Sequence, residues 1–246
     1  MRKSKIKAGD VFKTKEGDDV VVIEYFNRQK ILIEFVDKYK HQTTVQGGNL
    51  VKGSIKNPYR PFVRGVGYFG VGEYKATSEK KITRAYNTWS QMLRRCYCPK
   101  AAEKHPAYKD VTVCEEWHNF QVFAEWFYKQ PNHDKKGFEL DKDLLVPYSK
   151  IYSPQTCSFV PKQINVLFTG KKNNGLPIGM WRHGNKYQVS VSNEGKETHF
   201  GTYSTIEEAE IVYKREKKKV LIEVVNKYKN DLNPQVYHNL LNWEFR

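Results

Sequence analysis

The chain has 246 residues, 39% hydrophobic and 14% aromatic, with a formal net charge of +15 and a pI near 9.5. That much apolar material excludes a disordered chain, and the length allows one to three domains. The charge asks for a polyanionic partner, with a membrane surface or a ribosome also compatible. No apolar run approaches the roughly 20 residues needed to span a bilayer, so no membrane partner is expected.

The first residues, MRKSKIKAGD, are basic with no apolar stretch behind them, which does not read as a signal peptide. An intracellular location is expected. Cys96, Cys98, Cys114 and Cys157 are then thiols or metal ligands rather than disulfides.

Taken in order, residues 1–55 predict a small all-β unit. The runs Val20 to Phe26 and Ile31 to Val36 are split by a hairpin at Asn27-Arg28-Gln29-Lys30. Thr43-Thr44-Val45 is a third strand and Gly47-Gly48-Asn49 a turn. The spacing suits a strongly bent, Tudor-like barrel, a fold that binds nucleic acid or peptides or serves only for docking. Residues 56–80 form an irregular connector. Arg60, Arg64 and Lys75 among Tyr59, Phe62, Tyr68 and Tyr74 either track a phosphate backbone or pack as a linker.

The central module spans residues 81–172. Ile82, Tyr86, Trp89, Leu93 and Cys96 recur at helical spacing, which predicts a helix over 82–97. A short strand, Val111 to Cys114, and a second helix, Trp117 to Tyr128, follow. Then come a strand at Phe138 to Asp141, a loop, a strand at Thr156 to Val160, and a helix from Pro161 or Lys162 to about Leu167. Strand, loop, strand, helix, with acids ending the first strand and Asn165 on the helix, is the ββα-metal layout. The pattern WxxMLxRCY, VTVCxEW, LDKD and YSPQTCSFVPxxIN resembles a family of phage and mobile-element HNH-like proteins.

That resemblance implies a nuclease fold in which an aspartate and a helix His or Asn hold one divalent metal while a histidine activates water. Asp141 matches the ligand aspartate, Asn165 the helix ligand, and Lys142 stands where the histidine should be. Two expectations follow. In one, Asp141, Lys142, Asp143 and Asn165 form a catalytic set with Mg or Mn, Asp143 serving as base or second ligand and Lys142 meeting the scissile phosphate. In the other, the unit has become a DNA-docking module. His118 is a spare candidate base. Cys96, Cys98, Cys114 and Cys157, with His105 as a further donor, either hold a structural zinc or pack as free thiols.

The C-terminal module, residues 173–246, carries the clearest pattern. In KYQVSVS, Tyr187, Val189 and Val191 alternate with Lys186, Gln188, Ser190 and Ser192. Thr198 and Phe200 oppose His199 on the next strand, after a hairpin turn at Asn193-Glu194-Gly195. Thr205 caps a helix, with Glu208 as its capping-box partner. One face of a three-stranded sheet is thus apolar and covered by the helix. The other presents Trp181, His183, Lys186, Gln188, Ser190, Ser192 and His199, basic, amide, hydroxyl and aromatic groups with no acid among them. Such groups suit phosphates and base edges, and the major groove admits strands.

IGMW, KYQVSV and HFGTYSTIEEAEIVY are similar to the Apetala-two/ethylene-response-factor DNA-binding domain. The resemblance implies that those seven residues contact double-stranded DNA, in a phage or mobile-element setting and hence in the cytoplasm of a bacterial host. The overall expectation is an α+β protein: an N-terminal barrel, a central HNH-like unit and a C-terminal sheet-plus-helix that binds DNA. A site-specific, homing-type endonuclease is the first alternative. A non-catalytic regulator, or a protein that binds RNA or a host protein, is the second.

Overall fold

The computed structural model describes residues 6–104, 108, 110–169 and 175–245. Among these the chain is a mixed α and β protein with five small sheets. It divides into two compact units: residues 1–74 with 118–122, and residues 75–117 with 123–246.

The first unit is built on strands β1 (Val11–Lys13), β2 (Asp19–Asn27), β3 (Lys30–Phe35) and β4 (Gln42–Val45), antiparallel and in sequence order. The β2–β3 hairpin closes where expected: Asn27 Oδ1 accepts from the backbone N–H of Gln29 and Lys30, a side-chain turn that Asn makes well. The expected barrel does not close. The sheet is open, and its apolar face (Val20, Val22, Ile31, Ile33, Phe35) is covered by Leu50 and Ile55. Leu50 belongs to a short helix, α1 (Gly47–Val51), where the sequence suggested only a turn. Gly47 makes that helix fit, because a Cβ there would already press on Ile31 at 3.3 Å.

The aromatic connector packs within this unit. Tyr59 stacks on Tyr39 at 4.5 Å, the Tyr39 hydroxyl donates to the Tyr68 hydroxyl, and Arg60 pairs with Asp18 at 2.8 Å. Tyr59, Tyr68 and Arg60 are therefore engaged within the unit, whereas Phe62, Arg64 and Lys75 are exposed. Residues 118–122 join the unit through Tyr68, whose N–H donates to His118 O and whose carbonyl accepts from Phe120 N.

The second unit opens with a hairpin of β5 (Thr77–Ser78) and β6 (Lys81–Ile82). Ile82 is 64% exposed there, not on the helix. Helix α2 (Arg84–Tyr97) starts at Thr83, whose side chain accepts from Tyr86 N, and buries Ala85, Trp89, Met92 and Leu93. The Trp89 indole donates to Trp117 O at 2.7 Å. After α3 (Pro99–Lys104), β7 (Thr112–Val113) pairs in parallel with β9 (Ile151–Tyr152). A 3-10 turn, Glu115–His118, leads into α4 (Phe120–Lys129).

Strand β8 (Phe138–Asp141) pairs antiparallel with β10 (Ser158–Pro161), and α5 (Lys162–Leu167) follows at once. The stretch between β8 and β10, expected to be a loop, contains β9. The C-terminal part has β11 (Met180–His183), β12 (Lys186–Asn193) and β13 (Lys196–Tyr203), then α6 (Ile206–Lys227) and α7 (Pro234–Leu241). At 22 residues α6 is long enough, roughly 33 Å, to serve two cores. Ala209 and Tyr213 cover the sheet. Leu221, Val224 and Val225 pack with Ile164, Leu167, Val236 and Leu240. The central and C-terminal stretches fall in one compact unit, and this helix contributes to both of its cores.

Candidate nucleic-acid interface

The β11–β12–β13 sheet owes its shape to two short turns and a bulge. His183 pairs with Lys186 across Gly184-Asn185, and Asn193 pairs with Lys196 across Glu194-Gly195. Both Glu194 and Gly195 have positive φ, as a two-residue hairpin turn of type I′ requires. Between Gln188 and Ser190 the register shifts by one, because β13 carries an extra residue at Phe200-Gly201. Gly201, at φ +111°, takes the strained position. The bulge keeps His199 and Thr202 on the same side.

Directly paired residues share a face, so His183 with Lys186, Trp181 with Gln188, and Ser190 with His199 lie together. Ser192 follows by alternation. Met180, Val189 and Val191 point the other way and meet Ala209 and Tyr213 of α6. His183, Lys186, Ser192 and His199 are exposed, and Trp181 and Gln188 are half-buried. Ser190 departs from the expectation: it is only 5% exposed. A short side chain in the middle strand, between longer neighbours on both sides, has little reach to solvent. Glu197, paired with Ser192, puts one exposed carboxylate on a face expected to hold none. Counting back two residues from His199 would have found it.

Helix α6 is held at its start as expected, with Thr205 Oγ1 accepting from Glu208 N. The Glu208 carboxylate reaches back to Ser204 N, one residue before the cap. Beside the sheet lies a cleft of about 860 Å³ whose lining includes Trp181, Ser190, Ser192, Lys162, Gln163 and Lys217.

In the ββα unit, Asp141 shares a sheet face with Val160, which packs against Ile164 and Leu167 of α5. Its Oδ1 accepts from the backbone N–H of Asp143 and Leu144, both at 2.8 Å, so the carboxylate closes the loop after β8. Lys142 turns inward. It is 5% exposed, and its Nζ donates at 2.6 Å to Asp143 Oδ1 and at 2.6 Å to Ser149 O. The ammonium expected on a scissile phosphate is used inside the protein, and Asp143, the alternative base, is its partner. Asn165 is half-buried on α5. His118 falls in the other compact unit.

A divalent cation of the Mg or Mn kind wants several oxygen ligands around it. Among the described residues no three His, Cys, Asp or Glu side chains gather to hold a metal. Asp141 already has one oxygen committed to two N–H groups, and the next residue contributes a buried ammonium. The carboxylates of Asp141 and Asp143 are thus engaged by two backbone N–H groups and by the Lys142 ammonium. Burial pushes the thiols of Cys96 and Cys114 up to about 11 and that of Cys157 up to about 12. Cys98 is half-buried, and His105 lies outside the described residues.

Burial also holds the Asp141 carboxyl above the ordinary aspartate range; its two backbone N–H partners oppose this and Asp143 adds to it. A carboxyl with a higher pKa folded than unfolded favours the fold most when protonated. Its contribution is full below the unfolded pKa, about 3.9, and is lost as pH rises through the folded value. Asn keeps the accepting oxygen without the charge. Asp141→Asn should therefore equal or exceed the wild type in thermal stability at neutral pH, the gap closing on acidification. A wild type clearly more stable than Asp141→Asn at neutral pH would show that the ionised carboxylate itself holds the loop.

Comparison of this chain with protein-family models, with curated proteins and with solved structures finds no match. None of the helices among the described residues is long and apolar enough to cross a membrane.

Proposed function

We propose that the protein binds double-stranded DNA through the outer face of its C-terminal sheet, in the phage or mobile-element setting that the sequence resemblance implies. The observation that carries this reading is the collection of Trp181, His183, Lys186, Gln188, Ser192 and His199 on one side of three strands whose other side is filled by a helix. Lysine and histidine suit phosphates; Gln188 can present donor and acceptor together to a base edge. The net charge of +15 supplies the sequence-independent attraction. The single carboxylate, Glu197, would either accept from a cytosine amino group or repel a phosphate, and so contributes to register.

The ββα unit acts, in this reading, as a docking module. Its strand and helix order favours the nuclease alternative, whereas the internal use of Lys142 and Asp143 weighs against it.

One experiment separates these readings. Fragments bound from a random duplex library are recovered, incubated with magnesium or manganese, and their ends sequenced. The expected result is an enriched motif with intact ends. Discrete new ends near that motif, lost in Asp141→Asn, would replace docking with cleavage. No duplex enrichment, together with capture of RNA, would reject the DNA reading.

A further inference from the structure

Where the sheet core gives way to the core around α5, α6 carries neither leucine nor methionine but Lys217. The apolar clusters on either side share Val220, one turn away. Lys217 is 6% exposed, and its Nζ lies 6.0 Å from the centre of the Tyr213 ring. No carboxylate or other acceptor among the described residues pairs with it. The adjacent acid, Glu216, is occupied by Arg215 and Lys219 at 2.7 and 3.0 Å. Its stem is packed away while Nζ keeps access to solvent, which leaves an ammonium without a counter-charge available to a ligand.

We propose that Lys217 is an anion-binding residue that receives a phosphoryl group in the cleft beside the sheet's outer face. Lys217 lines that cleft, as do Lys162, Gln163, Ser192 and Trp181. Lys162 has only a 4.0 Å contact with Glu139 and is largely exposed, so a second cation stands at the rim. Gln163 is fixed by donating to Asn193 Oδ1 and accepting from the Tyr228 hydroxyl. Two acids share the lining. Glu194 is held by Lys227 at 2.8 Å, and Glu197 lies on the sheet's outer face. Burial alone lowers the Lys217 pKa, which agrees with an ammonium lacking an acidic neighbour.

Trp181, Ser190 and Ser192 belong both to the outer face and to the cleft. A duplex on that face would bring its backbone past the cleft mouth, making a backbone phosphate the natural occupant. That source rests on the DNA reading above; the site itself does not, since a free phosphate-bearing ligand has the same chemistry.

The test uses the full-length chain with Lys217→Met, which fills a similar volume without charge, and Lys217→Arg, which keeps the charge. Duplex affinity is measured against salt concentration, and inorganic phosphate and pyrophosphate are titrated while the Lys217 side-chain NMR signals are followed. The expected result is that Lys217→Met binds duplex roughly fivefold more weakly, with a salt slope shallower by about one, while Lys217→Arg retains both. Unchanged duplex binding with phosphate shifting the Lys217 signals would assign the site to a free phosphate-bearing ligand. A chain that binds no duplex yet shows those shifts would remove the DNA reading and keep the site. No shift in the wild type and unchanged duplex binding in Lys217→Met would overturn the proposal and leave Lys217 a structural lysine.

Discussion

Removing three side chains from the outer face, His183→Ala, Lys186→Ala and His199→Ala together, should weaken duplex binding about 100-fold and leave the fold intact. All three are exposed, and exposed substitutions usually change stability by less than about 0.5 kcal/mol. In the DNA-binding reading each side chain would meet a phosphate or a base edge. Contacts of that kind, at about 1 kcal/mol apiece, sum to roughly 3 kcal/mol, or about two decades in affinity. Loss of Lys186 should also lower the salt slope by about one. The control is a chain with Lys80→Ala and Lys136→Ala, two exposed cations away from the sheet. It removes more formal charge than the triple variant and should cost less affinity. Equal losses in the two chains would mean that binding follows net charge, and the face would have no special role.

Gly179→Ala should be the most damaging single methyl in the C-terminal part, lowering stability by about 2–4 kcal/mol. Gly179 sits at φ +79°, just before β11, with its carbonyl accepting from Ser190 N. A Cβ there would overlap the Tyr213 ring and come within 2.9 Å of Ser190 O. Alanine at a positive φ costs about 1 kcal/mol, and overpacking a well-filled site adds about 1–3 kcal/mol. Gly175→Ala isolates the first contribution, since its φ is +81° and nothing lies within 4 Å of its Cβ. Thermal unfolding of both variants gives the packing contribution by difference. Because Tyr213 lies under the sheet and lines the cleft, duplex binding should fall with stability in Gly179→Ala. If the two variants unfold at the same temperature, the close approach of backbone to ring is not what requires glycine at position 179.

Much of the local architecture is legible in the residues themselves. The Asn27 hairpin, the bounds of β8, the start of α5 after Pro161, the Thr205 cap and the two-faced alternation of β12 were all readable in advance. In each case the deciding interaction is a hydrogen bond or a side-chain period spanning a few neighbouring residues. Even the membership of the outer face follows from strand alternation, the bulge at Gly201 being the one feature that alternation omits.

Burial and partnership were decided elsewhere. Lys142 looks like a solvent-facing cation in the string LDKD, but Ser149 and Asp143 draw it inward. Gly47-Gly48-Asn49 reads as a turn, yet Leu50 has a waiting sheet face and a helix forms to deliver it. The N-terminal strands look able to close a barrel, but Leu50 and Ile55 cover the apolar side and leave the sheet open. Lys217 looks like one more lysine in a basic run; only the meeting of two cores along α6 makes it a buried one. Periodicity and capping act over one or two turns of chain, so the sequence alone determines them. Whether a charge is solvated depends on what packs against it from distant parts of the chain, and that only the tertiary structure decides.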